Sequence, residues 1–176
     1  IGNQQILFDQ ILSTFRFVES ESNAAKNVWG NCIFRDREVP ADKSKALAFT
    51  DPSGVDLEQI HLKFKEGTQV RLRDGKFISL CGAALSGINK ILLSEPSILL
   101  QRLINSASEA DLEQEFQRIV KQNPHVADMN LWYLVRITGN TDFQRLSSLV
   151  MQLNAFDIVE IAYPGSKPSP LPLIEK

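Results

Sequence analysis

No stretch of this sequence stays apolar for the ~18 residues that a membrane-spanning helix requires, and no basic-plus-apolar leader opens it. Histidine and cysteine are scarce, at two residues each. Cys32 and Cys81 form no CxxC pair, which argues against a cysteine-based metal site. The two thiols either pair in an oxidising compartment or remain buried and free. An excess of positive charge is also missing. Nineteen Lys and Arg stand against 21 Asp and Glu, for a formal net charge of -2. Nucleic-acid binding needs clustered cations. The one local cluster, "KFK" at 63–65 with "RLRDGK" at 71–76, reads as a solvated strand edge or turn.

Signatures of catalysis are lacking as well. His61 and His125 have no Glu or second His at ligand spacing, so no metal or catalytic role is assigned to either. "LSGIN" at 85–89 has a Ser-Gly step but no nucleophile elbow and no paired base. "CGAALSG" at 81–87 lacks the glycine spacing that cradles phosphate. Glu160 alternates with Val159 and Ile161 and reads as an outward strand residue. The expectation is a non-catalytic segment without metal or cofactor. The chain begins at Ile1, which suggests a processed or excised piece of something longer.

What is present is a regular alternation of strands and helices. "QQILFDQILSTFRFV" at 4–18 has Ile6, Leu7, Ile11, Leu12, Phe15 and Val18 at helical spacing. "VWGNCIFRDREV" at 28–39 reads as a short strand, and Pro40, Pro52 and Gly54 mark a boundary. In "LEQIHLKFKEG" at 57–67, Ile60, Leu62 and Phe64 share one face, while His61, Lys63 and Lys65 share the other and are expected in water. "VRLRDGKFISL" at 70–80 is a hairpin about Asp74-Gly75. A modest helix over 82–96 ends at Pro96, and 97–105 is best taken as a strand. Ser108 and Asp111 open a capped helix over 108–122 whose apolar stripe is Leu112, Phe116, Ile119 and Val120.

"LWYLVRITG" at 131–139 is the strongest strand signal. A helix follows over 140–156, with Thr141 as its cap and Phe143, Leu146, Leu149, Val150 and Leu153 as its buried face. "IVEIAY" at 158–163 returns as a strand. Two strand–helix–strand units of this kind predict an α+β fold, a ferredoxin-like split βαβ with an antiparallel sheet. An N-terminal helical extension precedes it, and the helix at 108–122 is an insertion. The division is 1–56 extension, 57–163 sheet domain and 164–176 proline-rich tail. Trp132 and Tyr133 are neighbours in one strand and face opposite ways. One belongs to the core, and the other is a candidate interface aromatic.

"IHLKFKEGTQVRLRDGKFISL", "ADMNLWYLVRI" and "VEIAYPGSKPSPLP" together resemble the N-terminal prodomain of bacterial subtilisin-like serine proteases over residues 57–172. The resemblance implies an intramolecular chaperone and inhibitor of its own protease, secreted or in the cell envelope. It implies that a four-stranded sheet packs on two surface helices of the catalytic domain, the expected partner. It further implies that a C-terminal tail, here Tyr163, Pro164, Gly165, Ser166, Lys167 and Pro168 onward, approaches the substrate cleft. The catalytic residues of that subtilisin-like endopeptidase would lie downstream. Prolines pre-extend such a tail and reduce the entropy lost on docking. The alternative is a free-standing ferredoxin-like interaction module with no protease attached. Residues 1–56 and the insertion at 108–122 have no counterpart in the resemblance.

Overall fold

The computed structural model describes residues 29–37, 41–47, 52–139 and 141–167. The helix expected over 4–18 and the tail from Pro168 onward lie outside them. Residues 28–39 were expected to hold a strand. Instead the described part, 29–37, is a turn followed by an arm without regular structure. A short helix α1 (Lys43–Leu47) and a 3-10 turn (Pro52–Gly54) lead into the sheet.

Four strands make the main sheet: β1 (Val55–Phe64), β4 (Ile98–Arg102), β5 (Trp132–Ile137) and β6 (Val159–Ser166). Their order is β4-β5-β1-β6, and every neighbouring pair is antiparallel. Helix α2 (Ser86–Leu93) lies between β1 and β4 in the chain, and α4 (Phe143–Asn154) between β5 and β6. Each strand–helix–strand unit therefore leaves a gap of one strand, filled by the other unit, which is the split βαβ arrangement. Two insertions decorate it. The hairpin of β2 (Val70–Arg73) and β3 (Lys76–Ser79) follows β1, and α3 (Glu109–Val120) separates β4 from β5. Asp74 and Gly75 turn the hairpin with φ of 49° and 73°. This is the doubly left-handed geometry that matches strand twist.

Strand periodicity sorts the sheet into two faces. Ile60, Leu62, Phe64, Tyr133, Val135, Ile137 and Ala162 are register neighbours on the first face, and all are buried. They join one core with Ile88 and Leu92 of α2 and with Leu146, Leu149, Val150 and Leu153 of α4. Phe64, Phe77 and Tyr133 meet edge to face within it, at centroid distances of 4.7 to 5.8 Å. Burying such rings contributes roughly 2–3 kcal/mol each. Helix α3 is capped as its sequence requires, with Asp111 N–H donating to Ser108 Oγ and Ser108 N–H donating back to Asp111. None of its residues is fully buried, so it is a surface attachment.

Three details depart from the sequence reading. Asp142, and not Thr141, caps α4, accepting from Arg145 N–H at 2.7 Å. Helix α2 is shorter than expected, because "CGAAL" at 81–85 leads into it as loop. Strand β6 continues past Tyr163 through Pro164 and Gly165 to Ser166, which lies opposite Val55. Proline is compatible with this position because β6 is an edge strand, where a missing N–H breaks no interior ladder. The outer edge of β6 is itself guarded. Buried Asn154 donates to the Ala162 carbonyl at 2.7 Å and accepts from the Ala162 N–H at 3.0 Å. An edge strand occupied in this way is closed to stray pairing at that point.

Candidate functional site

The second face of the sheet carries the candidate site. Alternation places Gln59, His61 and Lys63 of β1, Trp132, Leu134 and Arg136 of β5, Leu99 and Gln101 of β4, and Ile161 and Tyr163 of β6 on this side. Most are half-buried, and Leu99 and Arg136 are exposed. Trp132 is therefore the outward aromatic of its pair, and Tyr133 is the core one at 1% exposure. The Tyr133 hydroxyl donates to the Val70 carbonyl at 2.9 Å. Burial pushes the Tyr133 phenol well above its ordinary range.

Three aromatic groups meet on this face. Tyr163 stacks on His61, and the Trp132 ring lies edge-on to Tyr163 with centroids 6.4 Å apart. Burial lowers the His61 pKa, with nearby Asp56 opposing the shift. Burial raises that of Tyr163. Both shifts favour the neutral forms of these two stacked side chains. The expectation that His61 sits in water is thus only half met: it is half-buried under a ring.

Lys63 departs from that expectation completely. It is fully buried, and its ammonium donates to Glu66 Oε1 at 2.5 Å and to the Phe64 carbonyl at 3.1 Å. Glu160 Oε2 lies 3.5 Å away and the Trp132 ring centroid 5.9 Å away. The cause is a register shift between β1 and β6. Lys63 pairs with Ile161 and Phe64 with Val159, so Glu160 is the extra residue of a β-bulge. A bulge re-aims one side chain, and this one turns Glu160 toward Lys63. Glu160 is accordingly a member of an ion cluster and not the plain outward residue that its alternation implies.

The arm at 29–37 completes that cluster. Arg35 donates to Glu66 Oε2 at 2.9 Å and to the Pro124 carbonyl at 2.9 Å, and Arg37 pairs with Glu160. Glu66 also accepts from the Asp128 N–H at 3.0 Å. A buried charge is tolerated only when it is paired and hydrogen-bonded in this manner. Cys32 and Cys81 form a disulfide with Cα atoms 4.9 Å apart, which resolves the alternative left open by the sequence.

The tail residues divide between sheet and exit. Tyr163, Pro164, Gly165 and Ser166 belong to β6, and Gly165 accommodates the Gln59 side chain where a Cβ would collide with it. Lys167 N–H donates to the Gly54 carbonyl at 3.0 Å, the last described link before Pro168. His125 lies away from the aromatic face, with its Nδ1 2.8 Å from the Asp36 carbonyl and its N–H donating to Asn123. Among the described residues, neither histidine has a serine hydroxyl or a thiol as a hydrogen-bond partner.

Sequence reasoning missed Lys63, Glu66, Glu160, Arg35 and Arg37 as one group. Only the first lysine and the glutamate of "KFKE" at 63–66 hinted at it, since residues three apart meet where a strand turns out of the sheet. Among the described residues no group of three or more His, Cys, Asp or Glu is placed to hold a metal, and no helix is long and apolar enough to cross a membrane. No family model, curated protein or solved structure matches this chain.

Proposed function

We propose that this chain is the prodomain of a secreted subtilisin-like serine protease, a folding helper and inhibitor that docks through the second face of its sheet. The observation that carries the proposal is the union of two features. An aromatic face of Trp132, His61 and Tyr163 adjoins the edge strand that releases the proline-rich tail. Large aromatics make effective interface anchors. A partner seated on this face lies beside the point where the chain leaves β6. The chain from Lys167 onward is then placed to enter a cleft that recognises backbone by strand addition. The disulfide supports an oxidising compartment.

The experiment is inhibition of the catalytic domain encoded downstream. The chain is expected to inhibit it tightly, and removal of residues 168–176 is expected to weaken inhibition while leaving β6 whole. Deletion from 164 is uninformative, because it would take three residues out of a strand. Absence of inhibition, or a stop codon directly after Lys176, would favour the free-standing interaction module instead.

A further inference from the structure

The arm at 29–37 is held in place without a buried residue of its own. Ile33 is 81% exposed and Phe34 41%, while Trp29 and Cys32 are partly buried against the core. Beyond that packing its attachments are backbone hydrogen bonds, ion pairs and two cation–π contacts, Arg35 over Phe116 and Lys65 over Trp29. Asn31 N–H donates to the Cys81 carbonyl at 2.7 Å, and Arg35 N–H to the Glu66 carbonyl at 3.3 Å. Two glycines, Gly67 beneath the arm and Gly30 within it, permit the close approach. A Cβ on Gly67 would overlap the Ile33 carbonyl, and one on Gly30 would overlap the Cys81 carbonyl. Against this modest set stands one covalent link, Cys32–Cys81, that closes a separation of 49 residues. Ring closure of that size strongly restricts the open chain.

We propose that this disulfide is a redox strap. Oxidised, it holds the arm across Glu66 and Glu160, so that Arg35 and Arg37 pair with the two carboxylates beside Lys63. A dithiol reductant opens it in a two-electron exchange. The S–S bond breaks, the two sulfurs become Cys32 and Cys81 thiols with two protons from the dithiol, and the dithiol leaves as its own disulfide. The arm then separates as a local unit, because segments with few buried apolar contacts open well below the global unfolding free energy. Water replaces the arginines on the two carboxylates, and the Lys63 end of the second face is uncovered. The strap itself does not depend on the protease reading; only its bearing on docking rests on that reading.

Hydrogen exchange of the intact chain, read by mass spectrometry, tests this with and without dithiothreitol. In the reduced protein the amides of Asn31 and Arg35 are expected to exchange at least tenfold faster, while those of β1 and β5 keep their protection. The double variant Cys32→Ser with Cys81→Ser is expected to reproduce the reduced pattern without reductant. Two results would each overturn the strap. Unchanged arm protection after reduction would mean that the hydrogen bonds and ion pairs suffice alone. Loss of protection in β1 and β5 together with the arm would mean that the disulfide staples the whole domain. Neither readout involves a protease, so the strap and the inhibitor reading fail separately.

Discussion

Tyr163 lies flat on His61, with ring centroids 5.1 Å apart and planes within 8°. The two are register partners on β6 and β1. The stack fixes an edge strand against a central one on the face that faces outward, and it ties the start of the tail to the sheet. A flat pair of rings at this spacing adds roughly 0.5–1.5 kcal/mol beyond burial.

Protonation of His61 is expected to cost stability. Burial is the main cause of its lowered pKa, and Asp56 acts against it. Above the unfolded histidine pKa of about 6.5 both states are neutral and the stability is fully present. As pH falls below that value the unfolded chain takes up a proton that the folded chain resists, and stability is lost until the lowered folded pKa is passed. His61→Phe keeps a ring under Tyr163 and removes the titration. Melting temperatures of the two proteins between pH 7.5 and 5 should diverge, with the parent falling further. Parallel curves would refute the assignment.

Asp128 titrates in the opposite sense. Burial raises its pKa, while the Asn130 N–H that it accepts pulls it down. Its ionised form is disfavoured in the fold, so this group's cost is present at neutral pH and is relieved as pH falls through the raised value. Asn in its place still caps the 3-10 turn at Met129–Leu131. Asp128→Asn removes this acid-side gain, which opposes the losses from His61 and from carboxylates such as Glu109, and is therefore expected to make stability fall more steeply toward acid while leaving neutral stability equal or slightly higher. A large loss at pH 7 in urea unfolding would show that the charge itself is needed.

Breaking the buried pair at Lys63 and Glu66 is expected to be severe. These side chains are 0% and 2% exposed. Removal of one partner from an isolated buried pair costs about 3–5 kcal/mol; here Glu66 keeps Arg35 and Lys63 keeps Glu160, so the loss should fall toward the lower end of that range. Lys63→Ala and Glu66→Ala should each lower the urea midpoint sharply. The double variant should be less damaged than the sum, with a coupling above about 1 kcal/mol. Additive losses would mean that the two charges act independently.

Tyr133→Phe is expected to be mild by comparison. The Val70 carbonyl that loses the tyrosine hydroxyl keeps a donor in Arg71 at 2.8 Å. The loss should be about 1 kcal/mol, the ordinary net value of one hydrogen bond. Tyr133→Ala, which also empties a core site, should cost about 3–5 kcal/mol. Equal losses for the two variants would contradict this division.

Trp132→Ala bears on docking. If the second face meets the catalytic domain, truncation of a half-buried aromatic at its centre should weaken inhibition on the order of thirtyfold, the scale of a 2 kcal/mol hot spot. The thermal midpoint should move only slightly, since Trp132 lies outside the core cluster. An unchanged inhibition constant for a folded variant would remove this face from the interface.

Much of the architecture was legible in the chain because its signals are local. The alternation in "IHLKF", the Asp74-Gly75 turn, the Ser108–Asp111 cap and the aromatic-branched run from Trp132 each depend on neighbours within a few residues. The opposed orientations of Trp132 and Tyr133 followed from strand geometry alone. The extent of β6 was harder to read, since Pro164 signals a stop unless the strand is known to be an edge.

The sequence by itself determined the order of strands and helices from β1 to β6, though not the arm at 29–37, and which side of β1 and β5 joins the core, because backbone geometry forces period two on any strand. Only the tertiary structure decided that Lys63 is buried. Its partners, Glu66, Glu160, Arg35 and Arg37, come from the end of β1, a bulge in β6 and a disulfide-bound arm 28 and 26 residues upstream. Desolvation of a charge depends on everything that surrounds it in space. No local pattern encodes that, and a lysine at an alternating polar position looks the same whether water or two carboxylates wait above it.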